Sequence, residues 1–246
     1  MKLSLRGALG AAFILGMCAL CVRLGFWQLD RLEQRRARNH AVETAFAQPP
    51  LVLDAATAAA VDADPARFVG RRVRATGVYA PAGEVVLRGR VREGRPGVFL
   101  ATPLTVAGLD RPVMINRGFV PSPDAASVEN AARYAEGGTR TVEGVFQTIP
   151  VTSDSGAPSR TASGTLTYRR LDLPTLRAAH PGLLPLAIQQ LPGPDSATAG
   201  PPLREPLPPL TEGSHFSYAV QWFSFATIGV VGLAILVFRA NRRRRE

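Results

Sequence analysis

Hydrophobic and polar positions divide this chain into two long apolar runs at its ends and a middle that alternates. The clearer run is Tyr218 to Phe238, YAVQWFSFATIGVVGLAILVF, 21 residues without a charge. As a helix it would be about 30 Å long, the thickness of a hydrocarbon core. Arg239 and the four arginines from Arg242 to Arg245 follow it as a stop-transfer flank that a buried helix of a soluble protein does not need. The second run, from about Gly7 to Leu29, is interrupted by Arg23, whose long side chain can reach the interface from near a helix end. A cleaved signal peptide is the rival reading of this run, since MKLSLR is a good charged start. No clean A-x-A site follows, and Arg23, Trp27 and Arg31 fit an anchored interfacial end, so retention is the expectation.

The middle reads as strands. Arg71–Tyr79, Glu84–Arg92, Val98–Val106, Arg111–Val120 and Thr139–Ile149 carry β-branched residues in partial alternation between Gly and Pro turn signals. Thr165–Leu171 and Leu186–Leu191 add two more. Short helices are expected over Asp124–Ala135, set between Pro123 and Gly137, and over Leu173–Ala179. Asn39 to Asp64 reads as an Ala-rich connection with little strand character. The expected fold is therefore a membrane protein. Two transmembrane helices flank an extracytoplasmic α+β domain built on an antiparallel β-sheet or small barrel. Its parts are a cytoplasmic N-terminus (1–6), a first span (7–29), the β-rich domain (30–191), a Pro-rich linker (192–214), a second span with an interfacial start (215–238) and an Arg-rich cytoplasmic tail (239–246).

Charge sharpens this picture. From Trp27 to Ser214 there are 21 Arg and no Lys against 18 Asp plus Glu, so much of the formal net charge of +10 lies at the ends. Basic residues that flank apolar runs mark membrane orientation and give no reason to expect nucleic acid as a partner. The tail assigns both termini to the cytoplasm of a plasma (inner) membrane and the middle to the outer face. Arg31, Arg35, Arg36 and Arg38 stand on the outer side against that rule.

Cys18 and Cys21, in C-x-x-C spacing, lie inside the first apolar run and leave the middle without a disulfide framework. Val22 stands where a haem-attachment motif needs His, so small apolar residues of a helix is the better reading. There is no G-x-S-x-G, H-E-x-x-H or P-loop, so no enzymatic activity is expected.

Several separated segments carry a family likeness. Gly25-Phe26-Trp27-Gln28-Leu29-Asp30-Arg31 resembles a G-x-W-Q-x-x-R signature, and His215-Phe216-Ser217-Tyr218-Ala219-Val220-Gln221-Trp222-Phe223 resembles H-x-x-Y-A-x-x-W-F. Between them lie Gly77-Val78-Tyr79, Thr102-Pro103-Leu104 and the run from Val113 to Pro121, which resembles V-N-R-G-W-V-P. In this order they resemble the surfeit locus protein 1 family of cytochrome c oxidase assembly factors. Phe119 and Tyr168 stand where that family often has Trp, and the segment after Arg31 lacks its usual Trp-Lys pair.

The resemblance implies help in building subunit I of a haem-copper oxidase, through delivery or retention of haem a, with haem a synthase as a further partner. The alternative is a cofactor-free scaffold or chaperone that stabilises an oxidase subunit. A haem site needs an axial ligand, an apolar slot and cations near the propionates. His215 is the candidate ligand to the haem iron. On a helix it shares a stripe with Tyr218, Trp222 and Phe225. Trp27, Tyr218 and Trp222 would shape the slot, and Arg31 would balance charge. The plain alternative is interfacial packing of two helices. His40 and His180 read as solvated, and Asn116-Arg117-Gly118 reads as a strand end that organises a turn.

Overall fold

The computed structural model describes residues 5–128, 131–152, 158–161, 166–193 and 200–242. The chain forms two units, one of residues 1–43 with 209–246 and one of residues 44–208.

The first unit is a pair of helices, α1 (Leu5–Ala47) and α4 (His215–Arg242), both long and apolar enough to cross a membrane. α1 does not stop where its apolar run stops. Residues 30–47 are rich in Ala, Arg, Glu and Gln, which hold a helix without an apolar stripe, and Gln34 Nε2 donates to Asp30 Oδ2 at 2.9 Å one turn away. Pro49 and Pro50 then bar further helix. The expected connection over Asn39–Asp64 is corrected accordingly. It holds the end of α1, strand β1 (Leu51–Val52) and helix α2 (Ala55–Ala63), whose N-cap Asp54 accepts from Thr57 N at 2.8 Å.

The second unit is a mixed β-sheet domain. Its strands are β1, β2 (Arg72–Tyr79), β3 (Val85–Arg92), β4 (Arg95–Val106), β5 (Pro112–Pro121), β6 (Thr139–Thr148), β7 (Ser159–Arg160), β8 (Leu166–Tyr168) and β9 (Leu186–Gln190). The order is β1-β2-β6-β9-β5-β4-β3-β8-β7, and β2 also pairs with β4. That last pairing closes β2, β6, β9, β5 and β4 into a ring. One core cluster draws on all five of these strands, with Val73, Ala75, Leu104, Ile115, Phe146 and Ile188 among its members, as the filled interior of a small barrel does. Ala58 and Val61 of α2 join the same cluster.

The expected antiparallel sheet is corrected to a mixed one, because β1–β2, β3–β8 and β5–β9 pair in parallel. The chain leaves β8, turns through α3 (Leu173–Ala179), and returns as β9 between β5 and β6. Leu173 and Leu176 of α3 pack with Val85, Leu87 and Met114 in a second core cluster.

Two further expectations change. No α-helix forms over the described part of Asp124–Ala135. Asp124 Oδ1 instead accepts from Ala126 N and Ser127 N at 2.9 and 3.0 Å, a turn stabilised by its own side chain, and only a short 3₁₀ turn follows at Ala131–Tyr134. The Pro-rich linker is not a free spacer. Phe119 N donates to Leu203 O at 2.8 Å and Leu203 N to Phe119 O at 2.7 Å, which ties residues 202–204 to β5 as a strap.

Candidate functional site

The helix pair builds the first candidate site. On α1, Ile14, Cys18, Cys21, Gly25, Gln28 and Leu32 recur at alternating spacings of four and three, the repeat that keeps one seam against a partner helix. Cys18, Cys21 and Ala226 are buried together with Ile14 and Trp222 beside them. A side chain on Gly25 would meet the Phe223 ring at 2.6 Å, so glycine is what lets that ring in. Phe223 also meets Phe26 edge to face at 5.3 Å. The pairing is antiparallel. Gly229 faces Cys18, His215 meets Gln28, and Glu212 forms a double hydrogen bond with Arg36 at 2.7 and 2.9 Å. Arg35 Nε and Asn39 Nδ2 both donate to Thr211 O, at 3.0 and 3.1 Å. Two of the four arginines after the first apolar run are thus used to clasp the start of the second.

His215 sits half-buried at the first position of α4, with Nδ1 2.9 Å from Gln28 Oε1. An amide oxygen can only accept, so Nδ1 is the donor in this pair. Among the described residues Nε2 has no hydrogen-bond partner.

The structure divides the other predicted residues. Trp222 lies half-buried in the seam, its ring 6.0 Å from that of Phe225. Tyr218 is 47% exposed on the flank of α4. Trp27 and Arg31 do not join His215. At about 100° per residue, Trp27 projects about 140° away from the seam, and Arg31 folds back over it with its guanidinium 5.6 Å from the ring centroid. Gln28, the neighbour of Trp27 in the signature, is the residue that reaches His215. His40 is exposed on α1, and His180 caps the end of α3.

The second candidate lies in the β domain and escaped the sequence reading. Arg117 stands in the middle of β5, not at a strand end, and its side chain is 1% exposed. Nη1 donates to Glu84 Oε2 at 2.9 Å, which also accepts from Thr102 Oγ1 at 2.7 Å. Nη2 donates to Glu136 Oε1 at 2.7 Å and to the Tyr134 carbonyl. Arg204 from the strap shares Glu136 at 2.5 Å and donates to the Arg117 carbonyl. Burial pushes the Glu84 carboxyl up, against the pull of Thr102 and Arg117. For Glu136 burial also pushes upward, but hydrogen bonds from Arg117 and Arg204 outweigh it and hold the group below the usual range. The Tyr79 hydroxyl, buried and near the Glu136 charge, is pushed up to about 12 and donates to Gln190 Oε1 at 3.1 Å. Beyond Glu136 and Arg204 lies a cleft of about 820 Å³ that Arg133 and Arg140 also line. The only sequence signal for this network was Arg117 itself, a charge set among apolar strand residues.

Two helices long and apolar enough to cross a membrane, joined at their seam by an imidazole–amide pair, and a separate mixed β domain are the features of a membrane protein. The chain belongs to the SURF1 family, whose pattern matches residues 15–227, and that family is linked to cytochrome oxidase assembly. A SURF1-like protein of Monosiga brevicollis is 27% identical over 87% of this chain and 81% of its own length. An uncharacterised SURF1-like protein of Mycobacterium tuberculosis is 25% identical over 96% of this chain and 85% of its own.

Proposed function

We propose that this chain assists assembly of cytochrome c oxidase by holding or relaying haem a for subunit I, with His215 as the axial ligand to the haem iron. The observation that carries the reading is the His215–Gln28 pair. A histidine that binds a metal commonly donates its other ring N–H to a carbonyl oxygen, which fixes the tautomer and turns the free lone pair outward. His215 Nδ1 faces such an oxygen, and both residues lie in segments that resemble family signatures. Haem a, when bound, supplies the redox iron and a long apolar tail suited to a lipid boundary. The chain supplies the imidazole, the amide that orients it, and a helix start beside an apolar run. The fit is to the ligand and not to a slot inside the seam, because Phe223 closes the space above Gly25. Trp27 and Arg31 are accordingly not assigned to this site.

In this reading the protein lies in the plasma (inner) membrane with both termini cytoplasmic and the β domain outside, next to subunit I and haem a synthase. The test is the absorption spectrum of the full-length protein purified from cells that make haem a. His215→Ala loses the haem signal, and Gln28→Leu weakens retention about 10- to 100-fold, the usual effect of losing an orienting partner. A haem signal unchanged in His215→Ala removes the ligand role. Haem missing from the wild type while subunit I still co-purifies would favour a cofactor-free scaffold.

A further inference from the structure

The face of α1 turned away from α4 carries chemistry that the haem reading leaves unused. Arg23, Trp27, Asp30, Arg31, Gln34 and Arg38 fall within an arc of about 100° on that face. The three arginines are exposed, and among the described residues none of them lies within ion-pair distance of a carboxylate. Asp30 Oδ2 accepts from Gln34 Nε2, which leaves the face with more positive than negative charge.

The apolar run ends at Leu29, so Trp27 marks the lipid boundary. The Arg31 guanidinium lies over the Trp27 ring at 5.6 Å, with Nη1 donating to Gln34 Oε1 at 3.1 Å, and Arg23 leaves the helix about 6 Å below Trp27 along the axis. One cation thus covers the ring and a second starts one turn below it. Beside them Arg23, Leu24, Phe26, Trp27 and Asp30 line a groove of about 690 Å³, with Phe26 62% and Trp27 49% exposed. Three cations against the single carboxylate of Asp30, next to a groove with exposed apolar rings, match a ligand with an anionic head and an apolar body. A free anion would use only the first half of that surface, and an acidic peptide would not use the second.

We propose that this face of α1 binds the headgroup of an acidic phospholipid, with its phosphate between Arg23 and Arg31 and its acyl chains along Leu24 and Phe26. Arg38, about 10 Å further along the axis, adds long-range attraction within a screening length. The site accounts for Arg31 and Arg38, two of the four arginines that run against the orientation rule, because their countercharge is in the lipid.

Trp27 is its own reporter. The chain has two tryptophans, so full-length Trp222→Phe protein leaves Trp27 as the single indole. Reconstituted into phosphatidylcholine vesicles that contain brominated phosphatidylglycerol, Trp27 is quenched several-fold more than with brominated phosphatidylcholine at the same mole fraction. Each arginine replaced by Gln lowers this preference in part, and Arg23→Gln/Arg31→Gln/Arg38→Gln brings it to parity. Equal quenching by the two lipids in the protein with all three arginines overturns the proposal. So does a preference that survives the triple replacement, or one abolished by inorganic phosphate in the buffer.

Discussion

At the scale of single residues, the largest electrostatic commitment outside the membrane helices is Arg117. A buried guanidinium shared between Glu84 and Glu136 is not strong evidence of net stabilisation, since desolvation offsets much of the attraction. Breaking it is a different matter. Arg117→Met leaves Glu84, whose carboxyl is already pushed up by burial, without its cation. Loss of one partner in such a buried pair costs about 3–5 kcal/mol. Thermal unfolding in detergent, followed by the β-sheet circular dichroism signal, should register that loss. Arg117→Met/Glu84→Gln should recover part of it, because the double change removes the orphaned charge as well. Equal stability of the single variant and the wild type would show that the network is neutral. None of this was legible in the sequence, for a reason of distance along the chain. Glu84, Glu136 and Arg204 are 33, 19 and 87 positions from Arg117, and each lies in a different connecting segment. The His215–Gln28 pair is also remote, yet both partners stood inside recognisable signatures, and the second apolar run already placed His215 at a helix start.

Elements followed local pattern closely and partners hardly at all. α3 matches its expected range, and β2 through β6 lie within three residues of theirs, because alternation and turn residues act over a few positions. The parallel insertion of β9 between β5 and β6 depends on contacts that no local pattern encodes. The polar half of α1 was missed for the opposite reason, since it has helix formers but no apolar period to announce them. The strap depends on a single backbone position. Gly118 has φ +121, a conformation that side chains rarely adopt, and a Cβ there would meet the Leu203 carbonyl oxygen at 2.2 Å. Gly118→Ala should therefore loosen residues 202–204 without unmaking the β5–β4 ladder. Trypsin should then cut after Arg204 at least several-fold faster than in the wild type, read by mass spectrometry of the early fragments. Cleavage at an unchanged rate would mean that the strap is held by Arg204 and Glu136 alone.

For the molecule as a whole, the proposed orientation has to accommodate four arginines after the first apolar run, on the side where positive charge is disfavoured. Part of the accommodation is in the helix pair. Arg35 and Arg36 are engaged by Thr211 and Glu212, in the segment that leads into α4, so each already has a partner within the helix pair. The antiparallel seam from Cys18–Gly229 through Gln28–His215 to Arg36–Glu212 then obliges Gln34 and Thr211 to share one side, whatever that side is. The proposed orientation rests on the tail, where Arg239 and Arg242 to Arg245 add to Lys2 and Arg6 on the side opposite Arg31, Arg35, Arg36 and Arg38. With Cys18 and Cys21 replaced by Ala, single cysteines at Gln34, Thr211 and Asn241 separate the two claims. A membrane-impermeant maleimide should label Gln34→Cys and Thr211→Cys in intact cells and Asn241→Cys only after lysis. Labelling of Asn241→Cys alone in intact cells would invert the orientation and leave the helix pair standing. Labelling of Gln34→Cys and Thr211→Cys from opposite sides would break the pair itself, and with it the meeting of His215 and Gln28.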